Sequence, residues 1–546
     1  LRYKSNLINM SGYTPKNMVF DEEGRKKLMN GIAAISKAVK STLGPGGNTV
    51  LIESPNHLHG ITVTKDGVTV AKEVSLLDPV ENLAVQMMRG ASEKTAHVAG
   101  DGTTTAIVLT EAIIKEAYEK LMAFANVNTT EFIKELNSVC GEVVKNLNSM
   151  SRKLSKKMLV DVATISSNND KDLGTLIAKT FNEVGADGVV TVEKSQTDDT
   201  YTETTFGIKL ERGYTSPLFV NDQKKDECVL EDAYVLLTDH TIDNIMQIEN
   251  ILKPVINAGG KLLIMAECSQ NVVNTLSANV ARNGLSFCQI VPPQFGYKRG
   301  EIMSDIAIAL GGKFFSESTG DDLSLIRMED LGKVTKAIVG REETLIFSDA
   351  GDSEEIEGRV AELWGQHELA KTDRDFIESR IASLKGGIGV IYVGGMSDVE
   401  QKEKYDRVDD AVCAVKSALD EGILPGGGVG LTQAFFKFLD KNTDNVNSEV
   451  RAAAINCVGA ALTSPMYALF RNAGLNEEEI NVLWEKYMDP SRDLNRGYDI
   501  KNGQWGDMYK MGIIDPLKVT KNALLNAMSV ATTILSTNAI ITMARA

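Results

Sequence analysis

The stretch VAGDGTTTAIVL, from Val98 to Leu109, sets a carboxylate, two glycines and three consecutive hydroxyls directly before an apolar helix. Threonine is a mediocre helix former, because its branched Cβ loses rotamer freedom against the preceding turn. Starting a helix takes one capping group, and this start has four. The bland reading is an N-cap with spare polar surface. The chemical reading is a phosphate site, since glycine admits close backbone approach and a helix N-terminus carries partial positive charge. Two further glycine turns, TLGPGG at 42–47 and PGGG at 425–428, have the same character. No G-x-x-x-x-G-K-[ST] motif occurs, and no G-x-G-x-x-G follows a strand, so neither a Walker loop nor a dinucleotide fingerprint is present. Phosphate transfer also needs a divalent cation, and so a carboxylate at the phosphates. Asp101 stands inside the loop, with Asp66 in TKDG (64–67) and Asp410 in RVDDAV (407–412) as further candidates. Each has a competing reading. Asp66 fits a turn-forming Asp-Gly, and Asp410 fits a solvated helix face opposite Val408, Val412, Val415 and Leu419.

A large scaffold must position these groups. The 546 residues correspond to roughly three or four domains, and a 43% hydrophobic content is enough for sizeable cores. Acidic residues outnumber basic ones by 74 to 58, a net charge of −16, which argues against a broad nucleic-acid surface. No apolar run of ~18 residues is read, so no membrane span is expected. The first residues lack the apolar core of a secretory signal, so no export is expected. Residues 1–10 are set aside in reasoning about the fold. Six cysteines, Cys140, Cys228, Cys268, Cys288, Cys413 and Cys457, form no C-x-x-C pair and read as free thiols in a reducing compartment. His57 and His59, in SPNHLHGI, have no Cys or carboxylate partners nearby, and no metal site is read there.

Along the chain, Leu28, Ile32, Ile35 and Val39 mark one face of a helix over 21–40, stopped by Gly44–Pro45. TVLI and ITVT read as short strands around a loop at 54–60. Helices are expected over 80–97, 104–122, 129–150 and 171–184. From about 187 to 390 strands (GVVTVEK, DAYVLLTD, KLLIMAE, FCQIVPP) alternate with helices at 241–258 and 270–283, the pattern of an α/β domain. Gly207, Gly386 and Gly387 stand at its edges as expected hinges. After VIYVGG come a charged helix over 398–421 and a mostly helical remainder. A mixed domain is thus inserted in a helical one.

The phrases STLGPGG, TVTKDGVTVAKE, AGDGTTTA, GVVTVEK, RGYTSPLFV, RVDDAV, EGILPGGG and MGIIDPLKVT occur in that order. Together, from about Pro15 to about Met543, they resemble a group I chaperonin, the GroEL-like family. The resemblance implies a multidomain α+β and α/β fold: a mostly helical equatorial ATPase domain (11–147 and 422–546), a small intermediate hinge domain (148–205 and 389–421) and an inserted α/β apical domain (206–388). It implies an ATP-driven folding chamber in the cytoplasm, built of seven-subunit rings around non-native polypeptides, with a possible lid-type co-chaperonin and neither nucleic acid nor membrane as partner. Matched motif by motif, it implies that Thr42, Leu43, Gly44, Pro45 and Lys65 contact ATP and a monovalent ion, K+. Asp101 resembles the Mg2+ ligand, with Gly102, Thr103, Thr104 and Thr105 on the phosphates. Gly427, Asp499, Ile513 and Asp515 fall on the nucleoside side. Asp410, with Asp66, fills the catalytic positions, Asp410 as the carboxylate that swings in and orients the attacking water. Tyr214, Leu218, Phe219, Ile245, Ile248, Ile251 and Leu252 match the apolar groove that captures clients.

The chain also departs from the family pattern. Glu249, Asn274, Ala278 and Asn279 stand where the groove is usually apolar or larger, and the C-terminus, ITMARA, lacks a Gly-Gly-Met tail. Tyr467 and Asn476 replace an Arg and a Glu that pair between rings, so a weak inter-ring contact is expected. The runner-up to an ATP-dependent chaperonin is a chaperonin-fold scaffold without a productive cycle, which the full set of nucleotide carboxylates argues against. A small-molecule phosphotransferase lacks any visible second-substrate site.

Overall fold

The computed structural model describes residues 16–53, 61–123, 128–185, 189–223, 225–348, 353–369, 373–442, 448–489 and 493–544. The loop carrying His57 and His59 lies outside them. The chain divides into two compact units. One comprises Leu1–Ala178, Lys194–Thr200 and Val393–Ala546, and the other comprises Lys179–Glu193 and Tyr201–Tyr392.

The first unit is a helical core. Helix Asp21–Lys40 buries Leu28, Ile32, Ile35 and Val39, the stripe its spacing requires. Asp78 caps the next long helix, Pro79–Ala99, accepting from Val80 N at 2.8 Å and Glu81 N at 3.2 Å, and Lys27 reaches the same carboxylate at 2.9 Å. Helices Thr103–Ala123, Thr129–Met150, Val429–Asn442, Glu449–Asn472 and Leu517–Leu535 complete one apolar cluster. Fully burying an Ile or Leu contributes about 1.5–3 kcal/mol. Helix Thr103–Ala123 does so with Ile107, Leu109, Ile113 and Ile114, enough to fix it despite its threonine-rich start. Helix Glu449–Asn472 corrects the reading that no segment is apolar enough to span a bilayer, since length and hydropathy alone would allow it. It is a core helix, packed on Thr103–Ala123 and Thr129–Met150. Strand Lys16–Phe20 pairs antiparallel with Ala539–Met543, from Lys16↔Met543 to Phe20↔Ala539.

The second unit is built on a nine-stranded mixed sheet. The order is Val189–Lys194, Gly387–Val393, Tyr201–Leu210, Thr344–Phe347, Gly332–Val339, Cys228–Ile242, Lys261–Cys268 and Phe287–Ile290, with Phe314–Phe315 also on Cys228–Ile242. Strand Tyr201–Leu210 changes partner along its length. Residues 201–206 pair with 387–392, and 207–210 with 344–347. Gly207 is therefore inside a strand and not at a hinge. A Cβ there would lie 2.2 Å from Ile388 Cδ1 and 2.8 Å from Ile346 O, so close packing explains the glycine. The expected helix over 241–258 is also corrected. The strand runs on to Ile242, a 3₁₀ turn follows at Ile245–Ile248 with Asn244 and Gln247 capping each other, and the helix is Glu249–Asn257. Helices Tyr297–Ala309, Ser353–Leu369 and Arg374–Lys385 are tied together by Asp305, which receives Arg380 at 2.6 and 3.0 Å and Arg359 at 2.8 Å.

Candidate functional site

A cavity of about 630 Å³ opens within the first unit. Its wall brings together Thr42, Leu43, Gly44, Pro45, Lys65, Asp66, Asp101, Gly102, Thr103, Thr104, Thr105, Asp410, Gly427, Asp499, Ile513 and Asp515. These positions come from loops up to about 470 residues apart, so only the fold assembles them.

Each wall has a local cause. At the end of helix Asp21–Lys40, the Thr42 hydroxyl donates to Val39 O at 2.8 Å, and Asn472 Nδ2 donates to Lys40 O and Leu43 O at 2.8 and 2.9 Å. These bonds turn the backbone of 42–45 toward the cavity. Asp66 caps helix Gly67–Glu73. Its carboxylate accepts from Val68 N at 3.1 Å, Thr69 N at 2.8 Å and the Thr69 hydroxyl at 2.7 Å. The turn-forming reading of Asp66 thus holds alongside its place on the wall. Gly100 and Gly102 both take left-handed φ, +73° and +83°, which turns the chain between two helices in three residues. The Gly102 N–H donates to the Asp101 carboxylate, and the Ser166 hydroxyl donates to it as well. Thr103–Thr105 form the first turn of the following helix, with N–H groups aimed away from its body. Opposite, strand Ile423–Pro425 pairs with Ile514–Pro516 and sets Gly427 near Asp515, whose carboxylate accepts from Gly428 N. Asp499 shapes the hairpin 496–507, accepting from Lys501 N at 2.9 Å and Asn502 Nδ2 at 2.6 Å.

Asp410 lies on helix Asp398–Glu421, which packs against Lys156–Ser166 and Leu517–Leu535. Of the apolar stripe, Val408, Val412 and Val415 are buried as read, while Leu419 is exposed. The helix's other face is not free solvent at Asp410 but the wall of the cavity. Burial, then the charges of Asp101, Asp66, Asp409 and Asp406, push the Asp410 carboxyl well above the usual carboxylate range. Burial and Asp66 raise Asp101 as well. Burial and then Asp101 push Asp515 up to about 7. Sequence reasoning missed Asp406, which lines the same cavity and is pushed up to about 6, chiefly by burial. Its signal was present, because four residues before Asp410 is the same helix face. It also missed Asp161, Lys171 and Arg407 on the wall.

This crowd of carboxylates fits a cation. Among the described residues no three His, Cys, Asp or Glu converge as a self-sufficient metal site. Magnesium does not need one, since it is commonly held by one or two carboxylates together with substrate phosphates. Asp101, beside the glycine turn and the threonine hydroxyls, suits that arrangement.

The client-facing positions fare differently. Phe219, Ile248, Ile251 and Leu252 are core residues of the second unit, at most 7% exposed, so their reading as direct client contacts is corrected. Their match to the family's groove motif is a match of residue type, and here those side chains pack into their own unit's core. Tyr214 and Ile245 are half-buried, and Leu218 is exposed. Met246 and Leu325, which the sequence reading did not single out, are also exposed.

A helical unit with a glycine- and threonine-walled cavity, interrupted by an inserted mixed-sheet unit, defines a chaperonin subunit. Residues 35–545 match the TCP-1/cpn60 chaperonin family, and the chain belongs to it. It is a GroEL-like chaperonin, of the class that assists protein folding at the expense of ATP. The fold is similar to that of the chaperonin gp146 from the bacteriophage EL 2 (Pseudomonas aeruginosa), crystallised in the presence of ATP-BeFx. In one crystal form the TM-score is 0.71 at 23% identity, covering 96% of this chain and 98% of that one. In another it is 0.63 at 23% identity, covering 97% and 99%.

Proposed function

We propose that this chain hydrolyses ATP in the cavity of its first unit and couples that hydrolysis to the capture and release of non-native polypeptides in seven-subunit rings in the cytoplasm. The supporting observation is that Asp410, more than 300 residues from the glycine turn at 100–102, lines the same cavity as Asp101 and Thr103–Thr105. In this reading Asp101 holds Mg2+, Thr103–Thr105 and Gly102 hold phosphate oxygens, and the backbone of 42–45 with Lys65 completes the phosphate and K+ side. Gly427, Asp499, Ile513 and Asp515 hold the nucleoside. When bound, Mg2+ supplies charge neutralisation at the phosphates. Asp410 orients the attacking water, and the Asp66 cap keeps Lys65 and the helix start at 67 in register. The equatorial, intermediate and apical divisions at 147/148, 205/206, 388/389 and 421/422 give Asp410 to the intermediate part, so hydrolysis follows closure of that helix over the cavity. Clients meet the apical part at Leu218, Tyr214 and Ile245, and any lid-type partner meets the same face.

The test is a phosphate-release assay on the purified chain beside electron-microscopy class averages with and without ATP. Steady phosphate release and ring averages that change with ATP are expected. Rings without phosphate release would overturn the cycle in favour of a scaffold.

A further inference from the structure

The second unit holds two cysteines from distant segments against each other. Cys228 opens strand Cys228–Ile242 and pairs with Val339. Cys288 lies in strand Phe287–Ile290 and pairs with Leu263. The sheet order sets Lys261–Cys268 between these two strands. The segment after Glu211 closes the gap at one end. Tyr214 N donates to Gly340 O at 3.0 Å, next to the partner of Cys228, and Thr215 N donates to Gln289 O at 3.2 Å, next to Cys288. Tyr214 also bridges to Ile290. The thiols of Cys228 and Cys288 are hydrogen-bonded to each other, and both residues are buried, 1% and 0% exposed.

We infer that Cys228 and Cys288 are a redox pair, free thiols at rest and joined by a disulfide when the chain meets a small peroxide. The other four cysteines have no thiol neighbour among their charge and hydrogen-bond partners, and all six are free in this structure. The chemistry also separates them. Burial pushes Cys140, Cys268, Cys413 and Cys457 up to about 12, whereas the hydrogen bond from Cys288 holds the Cys228 thiol below its ordinary value. Cys228 is then the sulfur that reacts first, because the thiolate is the nucleophile. Its thiolate attacks one oxygen of hydrogen peroxide, the O–O bond breaks, and a sulfenic acid and hydroxide form. The Cys288 sulfur, giving up its proton, attacks the sulfenic sulfur and expels a second hydroxide. The two thiol protons neutralise the two hydroxides, so two thiols and one peroxide yield one disulfide and two waters. Both thiols are buried, so the oxidant has to be one near the size of water, as peroxide is. The product ties the strand start at 228 to the strand at 287–290, across the seam closed by Tyr214 and Thr215, and closes a loop of about sixty residues.

The experiment uses the full-length chain in its native assembly. It is treated with hydrogen peroxide, alkylated under denaturing conditions, digested and mapped without reductant. A peptide linking Cys228 to Cys288, reversed by dithiothreitol, with the other four cysteines alkylated, is the expected result. The melting temperature of the oxidised form should rise by several degrees. In Cys288→Ser a sulfenic-acid probe should label Cys228. Mapping on the unsubstituted chain decides the matter even if that variant folds poorly. A linkage between any other two cysteines overturns the pair. So does full alkylation of Cys228 and Cys288 at a peroxide dose that oxidises Cys268 or Cys413.

Discussion

Replacing Asp410 by alanine removes a carboxylate from the helix side of the cavity and leaves the glycine and threonine walls intact. Nucleotide affinity should stay near that of the unaltered chain, while hydrolysis slows at least ~100-fold, the scale of losing a positioned water-activating group. Equilibrium binding and single-turnover phosphate release separate the two effects, and near-normal turnover would take Asp410 out of the reaction. Asp101→Ala should act differently, because it removes the metal-holding carboxylate. Binding and hydrolysis should fall together, and a magnesium titration should lose its response. A third residue-scale outcome concerns pH. The Asp515 carboxyl is raised to about 7 in the fold, against about 3.8 in the open chain. Between those values the folded chain holds a proton that the unfolded chain has lost, so stability falls as pH rises from about 4 to about 7. Asp515→Asn keeps the shape without the ionisable group. Urea midpoints measured from pH 5 to pH 8, without nucleotide, should fall less steeply in the variant. Parallel curves for the two proteins would show that Asp515 carries none of the slope.

At the scale of elements, much was legible from periodicity and caps. Helices 21–40, 129–150, 171–184, 270–283 and 398–421 have the bounds their apolar spacing and capping residues predict. The misreadings share a physical cause. Periodicity says that one face of an element is buried, but not what buries it. Ile248, Ile251 and Leu252 match the family's groove in residue type, and that match did not reveal that they are buried in their own unit's core. Gly207 looked like a hinge because composition cannot reveal that Ile388 and Ile346 press on it from neighbouring strands. The site was legible where a motif is local, as at 98–109, and less so at Asp406, where the spacing from Asp410 gave a signal whose weight depends on where helix Asp398–Glu421 lies. Tertiary contact likewise decides the fate of Gly31 in helix Asp21–Lys40. A Cβ there would lie 2.2 Å from the carbonyl oxygen of Glu81, a backbone atom that no rotamer can move. Alanine adds about 1 kcal/mol of helix propensity, but overpacking at a backbone costs about 1–3 kcal/mol. Gly31→Ala should destabilise the first unit by up to about 2 kcal/mol in a denaturant titration, and a higher midpoint would mean the two helices move apart freely.

Two outcomes belong to the whole molecule. A fragment spanning 201–392 keeps strand Tyr201–Leu210 and its partner Gly387–Val393 in register nearly throughout. It should unfold in one cooperative transition by circular dichroism. Trimming to 206–388 loses every pair of that ladder except Phe206↔Gly387, along with buried Val390 and Ile391, and should lower the midpoint markedly. Equal midpoints would show that the ladder adds nothing. The second outcome is assembly. Tyr467 rests against Trp484, ring centroids 5.6 Å apart, and Asn476 caps helix Glu477–Tyr487 in a reciprocal pair with Glu479. Both are committed within their own chain, and neither restores the charge pair that the resemblance sets between rings. One exposed pair contributes only ~0.2–1 kcal/mol, but around a ring the loss is repeated at every subunit. Native mass spectrometry in apo, ADP and ATP states should therefore show seven-subunit particles on dilution. Fourteen-subunit particles alone, in every state, would show that the missing pair is unimportant.

The ribbon that joins Lys16–Phe20 to Ala539–Met543 has a consequence for how the chain is made. The second of these strands leaves the ribosome about 520 residues after the first. At about 5–20 residues per second the wait is roughly half a minute to two minutes. During that time the strands of 201–392 are already complete and free to pair. The inserted unit is thus set to fold before the second strand of the ribbon exists, and the unit that surrounds it in sequence closes only once that strand has emerged.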